Sequence, residues 1–171
     1  MIDIALLVLK VVVGALMAGH GAGKLFGWFA GHGPEGTGQY LESLGYPRGR
    51  AMAILAGLTE VTAGAAFAAG FLTPLAAGAL IGVMVNAAVS AHGEAGLWAE
   101  NHGYEYPLVL TVIFGAVTLV GPGEISVDAA LGWELAGAGW ALAALLLGII
   151  SAGAILATRN SSSTETVVGQ R

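Results

Sequence analysis

Residues 51–72, AMAILAGLTEVTAGAAFAAGFL, form an apolar run with one charged side chain, Glu60, close to its middle. A membrane-spanning helix needs about 20 predominantly apolar residues, and this run supplies them. An acidic residue at the centre of such a helix costs roughly 2.5–3.5 kcal/mol on insertion scales, so it is expected to face a partner or a cavity rather than lipid. Whatever meets Glu60 therefore constrains how the other helices are arranged.

The rest of the chain has the same character. Its 171 residues are 56% hydrophobic and 10% charged, with a mean hydropathy of +0.79, where a soluble domain carries about 25% charged residues. An all-α integral membrane protein is the expected fold. Twenty-eight glycines would weaken a soluble bundle, but in lipid small residues let helices approach closely. The absence of cysteine excludes thiol chemistry and cysteine-held clusters in this chain. Six scattered basic residues and a net charge of −5 give no nucleic-acid footprint.

Five spans follow from the apolar runs. The first, from about residue 4 to 29, lacks the basic start of a cleavable signal and carries Lys10, His20 and Lys24. At about 100° per residue these fall on one side of the helix with Gly14, Met17 and Gly21, so that side faces the bundle. Leu6, Leu9, Val13 and Leu16 are left for other contacts or lipid. The loop 31–50 contains GTGQYLESLGYP, expected to be a short interfacial helix capped by Thr37 and ended by Gly45 and Pro47.

The second and third spans meet at Thr73-Pro74 as antiparallel neighbours. Gly78, Gly82, Asn86 and Ser90 recur every fourth residue of the third and mark a helix-contact face. A loop rich in His, Glu and aromatic residues leads to Pro107 and a fourth span, which Gly121-Pro122-Gly123 stops. A fifth span covers about 135–157. The expected organisation is a four-helix up-down bundle over 1–130, an additional C-terminal transmembrane helix over 131–158 and a disordered polar tail over 159–171. The distribution of Lys and Arg favours an outside N-terminus and a cytoplasmic C-terminus.

An up-down bundle gathers His20, Lys24, Arg50, Asn86, Ser90, His92, Glu105 and Tyr106 at one membrane face, with Glu60 deeper beneath them. His20 and Lys24 are both within reach of Glu60, although Lys24 can instead snorkel to the headgroups, so the partner is left open between the two. Three roles for Glu60 stay open: a buried clamp, a proton or ligand site, or a protonated lipid-facing group. His20, His92, Glu60 and Glu105 lack any local metal-ligand spacing, so no metal is expected. Trp98, Tyr104 and Tyr106 read as an interfacial belt or as one wall of a quinone pocket.

The segments HGAGKLFGW (20–28), GLTEVTAGAAFAAGFLTPLAA (57–77), HGEAGLWAENHGYEYPLVL (92–110) and GPGEISVDA (121–129) together resemble the DoxX family of small bacterial membrane proteins. His20, Gly21, Lys24, Glu60, Gly64, Thr73, Asn86, Gly96, Glu105, Tyr106 and Asp128 fall on the matching motifs. Glu124 departs from them, standing where a basic residue commonly follows Gly-Pro-Gly. The resemblance implies a four-helix core in the bacterial inner membrane and an association with membrane oxidoreductase systems.

On this basis Glu60 and His20 are the candidate catalytic residues. Lys24, Asn86, Ser90, His92, Glu105 and Tyr106 are candidates for binding a quinone or similar small molecule. The alternatives are a non-catalytic anchor that recruits soluble redox partners, and a small transporter.

Overall fold

The computed structural model describes residues 1–160; residues 161–171, most of the expected polar tail, lie outside the described part. Every regular element among the described residues is helical: α1 (Ile2–Phe26), α2 (Gly33–Ser43), α3 (Gly49–Ala69), α4 (Thr73–Ser90), α5 (Glu105–Val120), α6 (Val127–Ala130) and α7 (Ala138–Leu156). Four of them, α1, α3, α4 and α7, are long and apolar enough to cross a membrane. The fourth span of the sequence is the shorter α5, with 16 residues, or about 24 Å at 1.5 Å per residue. The protein is an all-α, multi-pass membrane protein.

Small residues set the pairing of α1 with α3. A Cβ on Gly14 would lie 2.5 Å from Gly64 O, and one on Gly21 would lie 2.5 Å from Gly57 O. The two helices therefore run antiparallel at backbone contact, close enough for side chains on both to meet in the interior. Between α4 and α7, a Cβ on Gly78 would meet Leu147 at 2.8 Å, and one on Gly82 would collide with the Ser151 hydroxyl. Ala144, Gly148 and Ala152 form the answering buried stripe of α7. Thus α7 packs onto α4 and α5 as part of the bundle. The core between these layers holds Met17, Phe67, Leu80, Ile81 and Phe114, all fully buried. Phe67 and Phe114 meet edge to face at 5.0 Å between ring centres, a preferred aromatic geometry.

One local expectation needs correction. The interfacial helix α2 begins at Gly33, with His32 at its N-cap and Pro34 in its first turn, so Thr37 is an interior residue and no cap. Proline suits that position because its missing N–H would be unpaired there anyway. Val13, left open between other contacts and lipid, is 5% exposed and belongs to the core.

The far end of the bundle is closed by a buried polar network. Lys10 is fully buried, and its Nζ donates to Pro122 O at 2.6 Å and Ile125 O at 2.9 Å. Asp128, also fully buried, accepts from Leu72 N at 2.7 Å, Thr73 N at 3.0 Å and Thr73 Oγ1 at 2.6 Å. These bonds hold Leu72 at φ 46°, a left-handed conformation costly for a side chain with a Cβ. The turn from α3 to α4 is thereby fixed by a residue more than fifty positions later.

Candidate functional site

At the opposite end, the C-termini of α1, α4 and α7 and the N-termini of α3 and α5 converge. Glu60 is 2% exposed, and its Oε2 accepts from Lys24 Nζ at 2.6 Å. The close α1–α3 approach brings the two side chains together, and the lysine arm, 28% exposed, reaches down from the last turn of α1. Lys24, and not His20, is the direct partner of Glu60. His20 lies on the exposed side of α1, where its Nε2 is 3.3 Å from the Tyr106 hydroxyl.

Two concavities flank this ion pair. One, of about 740 Å³, runs along the outer side of α1 and is lined by His20, Lys24, Trp28, Phe29 and His32. The other, of about 560 Å³, lies between α3, α4 and α7 and is covered at one end by α2. Its walls are mostly apolar, including Met52, Leu55, Leu75, Val83, Leu147 and Ile155. Lys24, Glu60, Tyr46, Asn86, Ser90 and His92 supply polar groups. Asn86 Oδ1 accepts from the Tyr46 hydroxyl at 2.7 Å, whereas Asn86 Nδ2 is buried without a partner among the described residues.

Of the eight residues singled out in the sequence, Lys24, Glu60, Asn86, Ser90 and His92 share this second cavity. His20 and Tyr106 form a separate contact outside it. Glu105 is used locally: its Oε2 accepts from Ala99 N at 2.9 Å and braces the loop before α5. In the same loop His92 Nδ1 lies 2.6 Å from His102 O. A carbonyl oxygen can only accept, so Nδ1 carries the proton, and Nε2 has no partner among the described residues. No cluster of His, Asp and Glu among the described residues is arranged to hold a metal ion.

The family model for DoxX matches residues 5–93. The chain belongs to the DoxX family. The matched stretch runs from α1 to just past the end of α4, so it includes Lys24, Glu60, Asn86, Ser90 and His92, while α5, α6 and α7 lie beyond it. No curated protein and no solved structure matches the chain.

Sequence reasoning missed Tyr46 and the wall formed by Leu147, Ser151, Ala152 and Ile155. For α7 a signal existed in the spacing of Ala144, Gly148 and Ala152, which repeats every fourth residue like Gly78 and Gly82. For Tyr46 none did, because a tyrosine between a glycine and a proline reads as loop.

Proposed function

We propose that this DoxX protein is the membrane subunit of a redox system and binds a quinone, or a closely similar lipid-soluble molecule, in the cavity between α3, α4 and α7. The observation that carries the reading is the cavity itself. It is apolar along most of its length, it has a volume of about 560 Å³, within the ordinary range of small-molecule sites, and one end offers charged and amide groups. A ring with polar oxygens and an apolar tail fits that division.

Lys24 is the orienting cation, held in place by Glu60. Its ammonium carries two further N–H donors beyond the one given to the carboxylate. His92 lines the same cavity and reaches the aqueous loop. With one ring nitrogen free of any partner among the described residues, His92 suits proton exchange with water. Two-electron reduction of a quinone takes up two protons, and the electrons come from a soluble redox partner. Glu60, already paired, acts on this view by holding Lys24 and not by carrying protons. The inside position of the C-terminus and the placement in the bacterial inner membrane belong to the same proposal.

Titration of the purified protein in lipid nanodiscs with decylubiquinone tests it. Saturable binding above empty discs is expected, and Ala56→Trp, which fills the cavity from α3, should abolish it while helix content is kept. Absence of saturable binding to the unaltered protein refutes the quinone reading.

A second reading is favoured by the loop before α5. Backbone bonds from Tyr104 N to Gly96 O at 3.0 Å and Glu105 N to Leu97 O at 2.8 Å fold it tightly, and it displays Glu94, Trp98 and Glu100 on its surface. Such a platform suits an anchoring subunit that recruits a soluble partner. Loop substitutions that release co-purifying proteins, in a chain that binds no quinone, would favour anchoring.

A further inference from the structure

Most polar groups along the α3–α4–α7 cavity are already committed within the protein. Ser151 Oγ donates to Gly148 O at 3.0 Å and Thr59 Oγ1 to Leu55 O at 2.9 Å, and Lys24 Nζ, held by Glu60 at 2.6 Å, gives one of its three N–H groups to that pair. The Asn86 amide is different. Its oxygen is engaged by Tyr46, and its nitrogen, buried in the wall, donates to nothing among the described residues. Buried N–H groups without an acceptor are costly and uncommon in native proteins, so each one calls for a partner.

The orientation of that amide is set by Tyr46 in the cavity wall. Tyr46 is 3% exposed, and Asn86 Oδ1 is the acceptor for its hydroxyl. The Tyr46 ring lies beneath the Arg159 guanidinium, 5.5 Å from its centre, within cation–π range. Arg159 Nε donates to Leu44 O at 2.9 Å, and Asn160 N donates to Gly45 O at 2.9 Å. The end of α7 is thus clipped to the turn between α2 and α3. The clip holds Tyr46, Tyr46 holds the amide oxygen, and the N–H pair has no acceptor; because it is occluded in the wall, a ligand oxygen reaches it only when a neighbouring wall side chain shifts.

We propose that Asn86 Nδ2 is the recognition point of the cavity, donating a hydrogen bond to a carbonyl-type oxygen on the headgroup of a lipid-soluble ligand, while α7 supplies the wall for its tail. This rests on the quinone reading of the same cavity and names the atom that selects the ligand. A headgroup offering only N–H or O–H donors leaves Nδ2 unpaired. The selected chemistry is an acceptor oxygen on an apolar tail. Tyr46 and Arg159 are positioning residues, acting through Asn86.

The test compares decylubiquinone with n-decylbenzene, a probe of matched tail without acceptor oxygens, by calorimetry on the full chain in nanodiscs with empty discs as blanks. Asn86→Leu is expected to weaken decylubiquinone by about two- to tenfold, the loss of one neutral hydrogen bond, and to leave n-decylbenzene unchanged. Tyr46→Phe, which frees the amide to rotate, is expected to weaken decylubiquinone by about two- to threefold. Asn86→Asp keeps the shape and replaces the donor by an acceptor, so it reports the same loss if Asn86→Leu does not fold. Unchanged decylubiquinone affinity in the Asn86 variants, with saturable binding to the unaltered protein, overturns the assignment and leaves the quinone reading standing. An equal loss for both probes also overturns it, since that marks Asn86 as architecture. No saturable decylubiquinone binding to the unaltered protein overturns both.

Discussion

Lys24→Met should destabilise the folded protein considerably more than Glu60→Gln, although both break the same 2.6 Å contact. The asymmetry follows from exposure: the Lys24 side chain is 28% accessible and the Glu60 side chain 3%. Removing the ammonium leaves a carboxylate enclosed among helices with no cation, and breaking a buried pair from one side costs about 3–5 kcal/mol. Removing the carboxylate leaves a lysine that can swing to the headgroups. The glutamine amide oxygen still accepts a hydrogen bond, so that loss is about 1 kcal/mol, the net worth of one ordinary hydrogen bond.

The double variant removes both charges and should recover about 2 kcal/mol of the Lys24→Met loss, because no lone charge remains buried. Unfolding in mixed micelles of mild and denaturing detergent, followed by far-UV circular dichroism, gives the four stabilities. If Glu60→Gln is as damaging as Lys24→Met, or if the double variant equals the sum of the singles, the ion pair is not what holds this end of α1 to α3.

Three further outcomes are expected from the same assay. Asp128→Asn should cost about 2–4 kcal/mol, since a carboxylate accepting from Leu72 N, Thr73 N and Thr73 Oγ1 is replaced by a group with one acceptor oxygen; amide exchange at Leu72 and Thr73 should quicken with it. Lys10→Met should leave the Pro122 and Ile125 carbonyls without their donor, cost about 2–3 kcal/mol, and raise exchange across residues 121–130. Gly21→Val should separate α1 from α3 and cost about 1–3 kcal/mol by overpacking, because its Cβ would lie 2.5 Å from Gly57 O. Gly115→Ala, whose Cβ meets nothing within 4 Å, serves as the neutral control.

Much of the fold was legible along the chain because lipid leaves few options. Backbone groups in a bilayer must be satisfied within each segment, so long apolar runs are helices, and Gly121-Pro122-Gly123 ends α5 as its chemistry requires. Glycines and alanines every fourth residue, as at Gly78 and Gly82, marked a face that another helix covers. The up-down order also brought Lys24, Glu60 and Asn86 to one end. Local capping was less legible: α2 starts at Gly33, capped at His32 and not at Thr37, since several polar residues in one loop compete for the same role.

Glu60 shows where the sequence stopped. A lone carboxylate in residues 51–72 required a partner, and His20 and Lys24 were both within reach by spacing. Choosing between them depended on the rotation of α1 against α3. That rotation is decided by Gly14 and Gly21 lying on Gly64 and Gly57, which turns Lys24 inward and leaves His20 beside Tyr106.

The same limit applied to Lys10, which had no visible partner until the loop after α5 folded back over it. It applied to α7, whose place beside α4 makes it a cavity wall. The sequence by itself determined that this is a helical membrane protein of the DoxX type and which residues are too polar to face lipid. Only the tertiary structure decided which of them meet, because partner choice depends on helix rotation and distance in space, and neither is written in the order of residues.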